Sequence, residues 1–314
     1  VSLLAYALAI LASSSVVTSD PPKVDTADAG AALAPTPFEI VAPAPEPSLV
    51  EWYMEQPPVD ENYWVDKDGY YKVLYRKFTL SAGWAAYTKF RTEFQVNSKT
   101  AGAGANIDME TLLGLDQSSG VARFDGTYAF NRDHWLQFSY YDINRTGHRD
   151  ITEDIQVGDV VIPAGPVDSK FDTGIIKLAY RYNFVTDPKT VIGASFGFHV
   201  MKIDTQIKSE AVNVDESFKV TAPLPLLGLH GAYALGERWK LSASAEVLQF
   251  DLGAYRGAIT DTRLSIENDP FKNFGWGLGF NGFRLAGRVE GNGDLTAKLD
   301  YGYQGLMLYL RFML

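Results

Sequence analysis

The sequence predicts an all-β fold: a transmembrane antiparallel up-and-down β-barrel of about ten strands, behind an extended Pro-rich amino-terminal segment. Three observations predict it. Hydrophobic side chains recur with a two-residue period through residues 71–314, in runs of up to 19 residues. Aromatic residues are abundant (17 Tyr, 18 Phe and 6 Trp), yet mean hydropathy is only −0.09. Tight polar turns alternate with longer connections. Many rings without overall greasiness suit strands with one wet face and one oily face. Composition excludes other classes. With no Cys among 314 residues there is no disulfide framework, thiolate metal site or cysteine nucleophile. A net charge of −10 argues against nucleic acid as a partner.

The chain begins VSLLAYALAILASSSVVTS, an apolar run from Leu3 to Ala12 followed by small residues. That run is too short for a membrane-spanning helix and matches the core of a secretory signal peptide. Residues 1–19 are therefore read as an export signal, cut between Ser13 and Ser19. Residues 20–70 follow as an acidic periplasmic tether. Eleven acidic residues and two lysines fall in 20–68, and nine of the 15 prolines lie between Pro21 and Pro58. Such a stretch has little to bury and resists both helix and sheet. Its aromatic end carries Trp52, Tyr53, Tyr63 and Trp64, which are candidates to pack at a barrel mouth.

Residues 71–314 form the barrel domain. The alternation is clearest at 78–96, where Phe78, Leu80, Trp84, Phe90 and Phe94 share one face and Lys89, Arg91 and Glu93 share the other. Successive side chains of a strand point to opposite sides, so one side is oily and the other charged. VARFDGTYAF, HWLQFSYY, IIKLAYRYNF, VIGASFGFHV, KLSASAEV and TDTRLSIE repeat the pattern. A soluble sandwich would bury the oily sides against each other, whereas a membrane barrel turns them to lipid. Strand length, rings near strand ends and the rhythm of connections favour the barrel. The turns NRDH (131–134), TDPK (186–189), LGER (235–238) and NDPFKN (268–273) alternate with loops near 97–118, 146–170 and 205–218. Short periplasmic turns and long external loops are the outer-membrane pattern, which sets both chain ends in the periplasm.

The export signal, the alternating strands and the final YQGLMLYLRFML resemble bacterial outer-membrane β-barrel proteins over about 69–314. In that family an alternating closing strand serves as the assembly signal read by the barrel assembly machinery. Here Leu306, Leu308, Leu310, Phe312 and Leu314 match it, with Leu where the family usually ends in Phe. The resemblance implies a Gram-negative outer membrane and implies no chemistry. NIDMETLLGLDQSSG, GDVVIPAGPVDSKFDTGIIKLAYRY and APLPLLGLHGAYAL also resemble a group of small outer-membrane barrels, again without an activity to carry over.

Counting from residue 78 gives ten strands, with twelve as the alternative. Oily positions are odd from Leu295 to Tyr303 and even from Leu306, so a bulge or a hairpin is expected at Gly305. With the oily face outward, the lumen should hold Lys89, Arg91, Glu93, Arg123, Asp125, Lys177, Arg181, His199, His230, Glu246, Asp261, Arg263, Glu267, Lys298 and Asp300. Balanced charges in so narrow a barrel should pair across it. Gly275, Gly277 and Gly279 share one face of a strand and would leave local room there.

These features leave three readings. The first is a membrane-embedded structural or interaction protein with a filled polar lumen, acting through its loops and tether. The second is a narrow porin-like diffusion channel, gated by the tether. The third is a surface lipid or peptide hydrolase. Outer-membrane lipid A deacylases and omptin-like proteases use His with Ser or acidic partners, which draws attention to His199 with Ser195, to His230, and to His148, Arg149 and Asp150. No known catalytic spacing is reproduced, so no catalytic residue is assigned. His134 falls in a periplasmic turn. DITEDIQVGD (150–159) lacks an EF-hand ligand pattern, and neither a metal nor a cofactor is assigned. Expected partners are outer-membrane lipid, the assembly machinery and a periplasmic partner of 20–70. Lipopolysaccharide is a further one, its phosphates met by Arg145, Arg149, Lys170, Lys208 and Arg256.

Overall fold

Strand-forming alternation becomes ten long strands closed on themselves. The computed structural model describes residues 61–98, 104–157, 160–209, 214–252, 255–290 and 295–314, so residues 1–60, where the sequence leads us to expect an export signal and most of a tether with Trp52 and Tyr53, lie outside the described residues. The barrel strands are β1 Phe78–Ser98, β2 Ser118–Ala129, β3 His134–Ile151, β4 Gly165–Thr186 and β5 Thr190–Ser209. They continue as β6 Val214–Ala234, β7 Trp239–Leu252, β8 Tyr255–Asn268, β9 Phe274–Glu290 and β10 Leu295–Met313. Each pairs antiparallel with its sequence neighbours, and β10 pairs with β1 to close the barrel. Phe78 and Leu314 seal that seam by exchanging backbone hydrogen bonds of 3.1 and 3.0 Å.

The strands are longer than a membrane needs. β4 has 22 residues, about twice the 9–11 of a tilted membrane-crossing strand. Only the half near the short turns carries an apolar outer face. On β10 it comprises Leu306, Leu308, Leu310, Phe312 and Leu314, all exposed. On β4 it comprises Ile176, Leu178, Tyr180, Tyr182 and Phe184. A nine-residue stretch at ~3.3 Å per residue and a tilt of ~40° rises about 23 Å, close to the ~25 Å apolar band of a membrane barrel. Beyond it the outer face turns polar, as at Asp142, Asn144 and His148 on β3 or Lys202, Asp204 and Lys208 on β5. The sequence read 146–170 and 205–218 as loops. Strands β3 to β6 run on through much of both, because alternation with a polar outside and an apolar inside is equally regular β-structure.

Two register expectations are overturned. β9 and β10 pair without a slip from Phe274↔Phe312 to Glu290↔Thr296, so Gly305 is neither a bulge nor a hairpin. A side chain at Gly305 would lie 2.1 Å from the Ala86 carbonyl oxygen, which makes it a close-approach glycine at the β1–β10 seam. The slip is instead in β1, between Thr88 and Arg91, with Lys89 at a left-handed φ of 52°. That bulge turns Phe90, Thr92 and Phe94 inward and leaves Lys89 and Arg91 exposed outside.

Both barrel ends are covered. At the loop end, the 99–117 connection carries a short strand, Gly104–Asp108, on β1 and a one-turn helix, Met109–Leu112, capped by Asp108. Ile107, Met109, Leu113 and Leu115 are buried with Phe90, Phe94, Phe171, Ile143 and Met201 in one apolar core. At the turn end, residues 61–77 fold beneath the strands, and Val73 and Leu74 pack on Ala129, Trp135, Val191 and Ala234.

Candidate functional site

The interior has two storeys divided by tyrosines. Tyr87, Tyr141 and Tyr303 form the divide, with a 2.8 Å hydrogen bond between the Tyr141 and Tyr303 hydroxyls. Their rings face Phe90 and Phe283 above, and the Tyr87 hydroxyl meets Arg123 and Asn281 below. A phenol suits such a boundary because its body is apolar and its tip polar.

Below the tyrosines the lumen is a mesh of charge. Arg123 Nε and Arg263 Nη1 each lie 3.1 Å from Asp125 Oδ2, and the Ser139 hydroxyl donates to Asp125 at 2.6 Å. Lys177 Nζ lies 2.5 Å from Glu246, and Lys240 Nζ lies 2.6 Å from Glu267. Arg311 bridges Glu267 and Asp269, and Arg76 reaches Asp269 from the turn-end segment at 3.4 Å. Asp261 accepts from Asn281 Nδ2 at 2.7 Å. The glycines of β9 leave no room: a side chain at Gly277 would lie 2.4 Å from the Tyr309 ring, whose hydroxyl donates to Glu267 at 2.8 Å.

Ten of the residues expected in the lumen are there: Arg123, Asp125, Lys177, Arg181, His199, His230, Glu246, Asp261, Arg263 and Glu267. Five are not. The β1 bulge puts Lys89, Arg91 and Glu93 outside, where Arg91 pairs with Glu93 at 3.0 Å and with Asp300 at 3.6 Å. Lys298 and Asp300 are outside because β10 keeps its register and turns Leu299, Tyr301 and Tyr303 inward. Arg76, Lys240, Asp269 and Arg311 were missed. Lys240 and Arg311 were readable from their strands, since each lies between outward Trp239 and Leu241 or Leu310 and Phe312. Arg76 and Asp269 sit in irregular segments with no period to follow.

The histidines divide. His230 donates from Nε2 to Asn183 at 2.7 Å, its ring lies 6.4 Å from that of Trp135, and its buried Nδ1 has no hydrogen-bond partner among the described residues. His134 bonds the Tyr180 hydroxyl and stacks on its ring. His199 Nε2 lies 3.6 Å from Glu246 and 3.8 Å from Asp261, a grouping with metal-ligand spacing. The Lys177 ammonium already holds both oxygens of Glu246 there, so the charge a cation would neutralise is met by the protein itself. On the outer wall His148 Nδ1 lies 2.7 Å from Asp168, both well exposed. Ser195 lies within the lumen, far from that pair along the strand.

Among the described residues the upper storey hides one ion pair. Arg145, read from the sequence as a cation for lipopolysaccharide phosphates, is buried beside Glu110 of the loop-end helix at 2.6 Å. Thr92 ties the pair to β1, its N–H donating to Glu110 at 2.9 Å and its hydroxyl accepting from Arg145 at 2.6 Å. Phe90 lies against the guanidinium, 4.2 Å from ring centroid to charge.

The turn-end segment closes the other mouth with aromatic–cation contacts. Arg76 donates to the Tyr63 hydroxyl at 2.8 Å, and Arg238 lies over the Trp64 ring at 4.9 Å. Asp66 binds Arg132 at 2.8 Å and accepts from the N–H groups of Asp68 and Tyr70 at 2.9 Å. Burial pushes the Asp66 carboxyl up, but those N–H groups and the Arg132 guanidinium outweigh it and hold it below its ordinary value.

No protein-family model matches the chain, and no curated protein matches it. Among solved structures it is similar to the outer membrane protease OmpT from Escherichia coli (10% identity, 75% of this chain and 97% of that one, TM-score 0.45). It is also similar to the outer membrane protein OprG from Pseudomonas aeruginosa (12%, 76% and 95%, TM-score 0.32). A third is Ail, the attachment invasion locus protein of Yersinia pestis (12%, 73% and 97%, TM-score 0.29). These are likenesses of small outer-membrane barrels, and the described chain is a closed barrel of ten strands.

Proposed function

We infer that this protein is a sealed outer-membrane barrel that acts as a structural or interaction platform. One observation carries the reading: the bore is blocked in series. Residues 61–77 cover the turn end, ion pairs fill the lumen behind them, and an apolar core with the 107–115 loop segment closes the far end. A conducting pore needs a continuous wet path, and the upper storey offers packed rings instead. The turn end, with both chain ends, faces the periplasm on this reading, and the polar upper walls project from the cell. Arg149, Lys170, Lys208 and Arg256 are then placed to meet lipopolysaccharide phosphates, while residues 20–60 reach a periplasmic partner. The barrel assembly machinery inserts the chain through its closing strand, Leu306 to Leu314.

The test is conductance across a planar bilayer, with the mature protein and with a version lacking 20–70. Silence from both is expected. Steady current from both would overturn the sealed-barrel reading, and current only after truncation would make the amino-terminal segment the gate of a channel. The exposed His148–Asp168 pair favours a hydrolase as the second reading. Replacing His148, His199 and His230 in a lipid- and peptide-hydrolysis assay tests it, and a rate that all three replacements leave unchanged removes it.

A further inference from the structure

The charge in the lower lumen does not close. Among the described residues, seven cations face it (Arg76, Arg123, Lys177, Arg181, Lys240, Arg263 and Arg311) against five carboxylates (Asp125, Glu246, Asp261, Glu267 and Asp269). The imidazoles aside, that leaves two positive charges over. Six of the seven cations have a carboxylate within 4 Å. Arg181 has neither a salt bridge nor a hydrogen bond among the described residues, and its Nε is buried. An unpaired charge removed from water is strongly unfavourable, so a fold that keeps one ordinarily gives it a counter-ion.

The space for that counter-ion lies beside it. Arg181, Arg76 and Gln137 line a cavity of about 130 Å³ between the lumen mesh and the turn-end segment. That is roughly four times the volume a water occupies in the liquid. The Arg76 Nε is a second buried donor without a partner, and Thr79, Ser81 and Ser242 add hydroxyls to the wall. Carboxylates on the wall, Asp125 and Glu267, are already held by their own cations. Unused N–H donors, rotatable hydroxyls and an excess of two positive charges match a tetrahedral oxyanion in its doubly charged form.

We propose that this cavity binds one small inorganic oxyanion of the phosphate or sulfate kind, with Arg181 as its principal ligand and Arg76 as the second. The anion ties β4 to the turn-end segment, so its binding stabilises the closed turn end. The site depends on the barrel alone and holds whether or not the protein conducts.

Equilibrium dialysis of the folded full-length protein in detergent against radiolabelled inorganic phosphate tests it, because slow entry does not distort an equilibrium value. Saturable binding of about one phosphate per barrel, displaced by sulfate, is expected. Arg181→Gln should weaken it at least tenfold, and the exposed Lys202→Gln should leave it unchanged. Gln137→Glu supplies a fixed carboxylate on the same wall, so it should abolish binding while the barrel still folds; phosphate should then raise the Tm of the native protein but not of this variant. Folding of each variant is read from its heat-dependent shift on a gel. The proposal is overturned if the native protein binds no phosphate, or if folded Gln137→Glu binds it as tightly as the native chain.

Discussion

The two halves of this barrel are built from the same strands with opposite insides. Near the turns, leucines and aromatics face out and charges face in. Near the loops, Asp, Lys and Asn face out, and Phe94, Phe171, Met201, Ile203 and Leu285 face in. The difference shows which solvent each half is made for. Lipid accepts apolar side chains outside and so frees the interior for ion pairs, whereas water outside forces apolar surface to the centre. β1 and β10 make the change in different ways. In β10 the sequence changes phase and the backbone runs straight. In β1 the hydrophobic phase is constant, so the backbone slips at Lys89.

Deleting Phe90 should have the largest effect on this contrast. The strand would then alternate without a bulge, but Lys89 would take the place of Phe90 in the apolar core and Arg145 would lose the ring against it. Deleting Lys89 instead removes the bulge with Phe90 and Phe94 still inward. The expected result for the Phe90 deletion is no folded species in a heat-modifiability assay, while Lys89→Gly, which suits the left-handed φ, folds and is more stable by about 1 kcal/mol. Glu267→Gln should come next. It strips Lys240 and Arg311 of a shared carboxylate, and a loss of ~3–5 kcal/mol is expected in urea unfolding from vesicles. A native unfolding midpoint in that variant would mean that the lower lumen is wet enough to hydrate loose charges.

One substitution made in both halves sharpens the comparison. Leu308→Arg, on the outer face near the turns, should cost ~2–4 kcal/mol by the same unfolding measurement. Asn144→Arg, outward on the upper wall, should change stability by less than ~0.5 kcal/mol. Equal costs would put the upper wall in lipid as well. The smallest effect belongs to the turn-end segment. Asp66 has a lowered folded-state pKa, so the stability it contributes is present above its unfolded value of 3.8 and lost as pH falls through the folded one. Proteolysis near residues 61–77 should therefore increase below about pH 4, ahead of global unfolding, and Asp66→Asn should remove that dependence.

Much of this was legible beforehand. Regular alternation is a property of the chain, and it carried the barrel, its ten strands and the lumen positions Arg123, Asp125, Lys177, Glu246 and Glu267. The errors of facing share one cause. Taking the oily face as outward everywhere placed Lys89, Arg91, Glu93, Lys298 and Asp300 inside, and read a straight β10 as bulged at Gly305. Arg145 was misplaced for a different reason, since nothing local tells an external loop from a strand that has left the membrane.

The sequence by itself determined that these residues alternate, where the chain turns, and that charge and oil lie on opposite sides of each strand. Those are short-range properties, set by side-chain direction along an extended backbone. Only the tertiary structure decided which side is the inside at each height, which cations found carboxylates and which, like Arg181, did not. Those outcomes depend on neighbours brought together by closure, as Arg311 meets Glu267 and Asp269 across 42 or more residues. Pairing in a lumen is a property of the ring, and no single strand carries it.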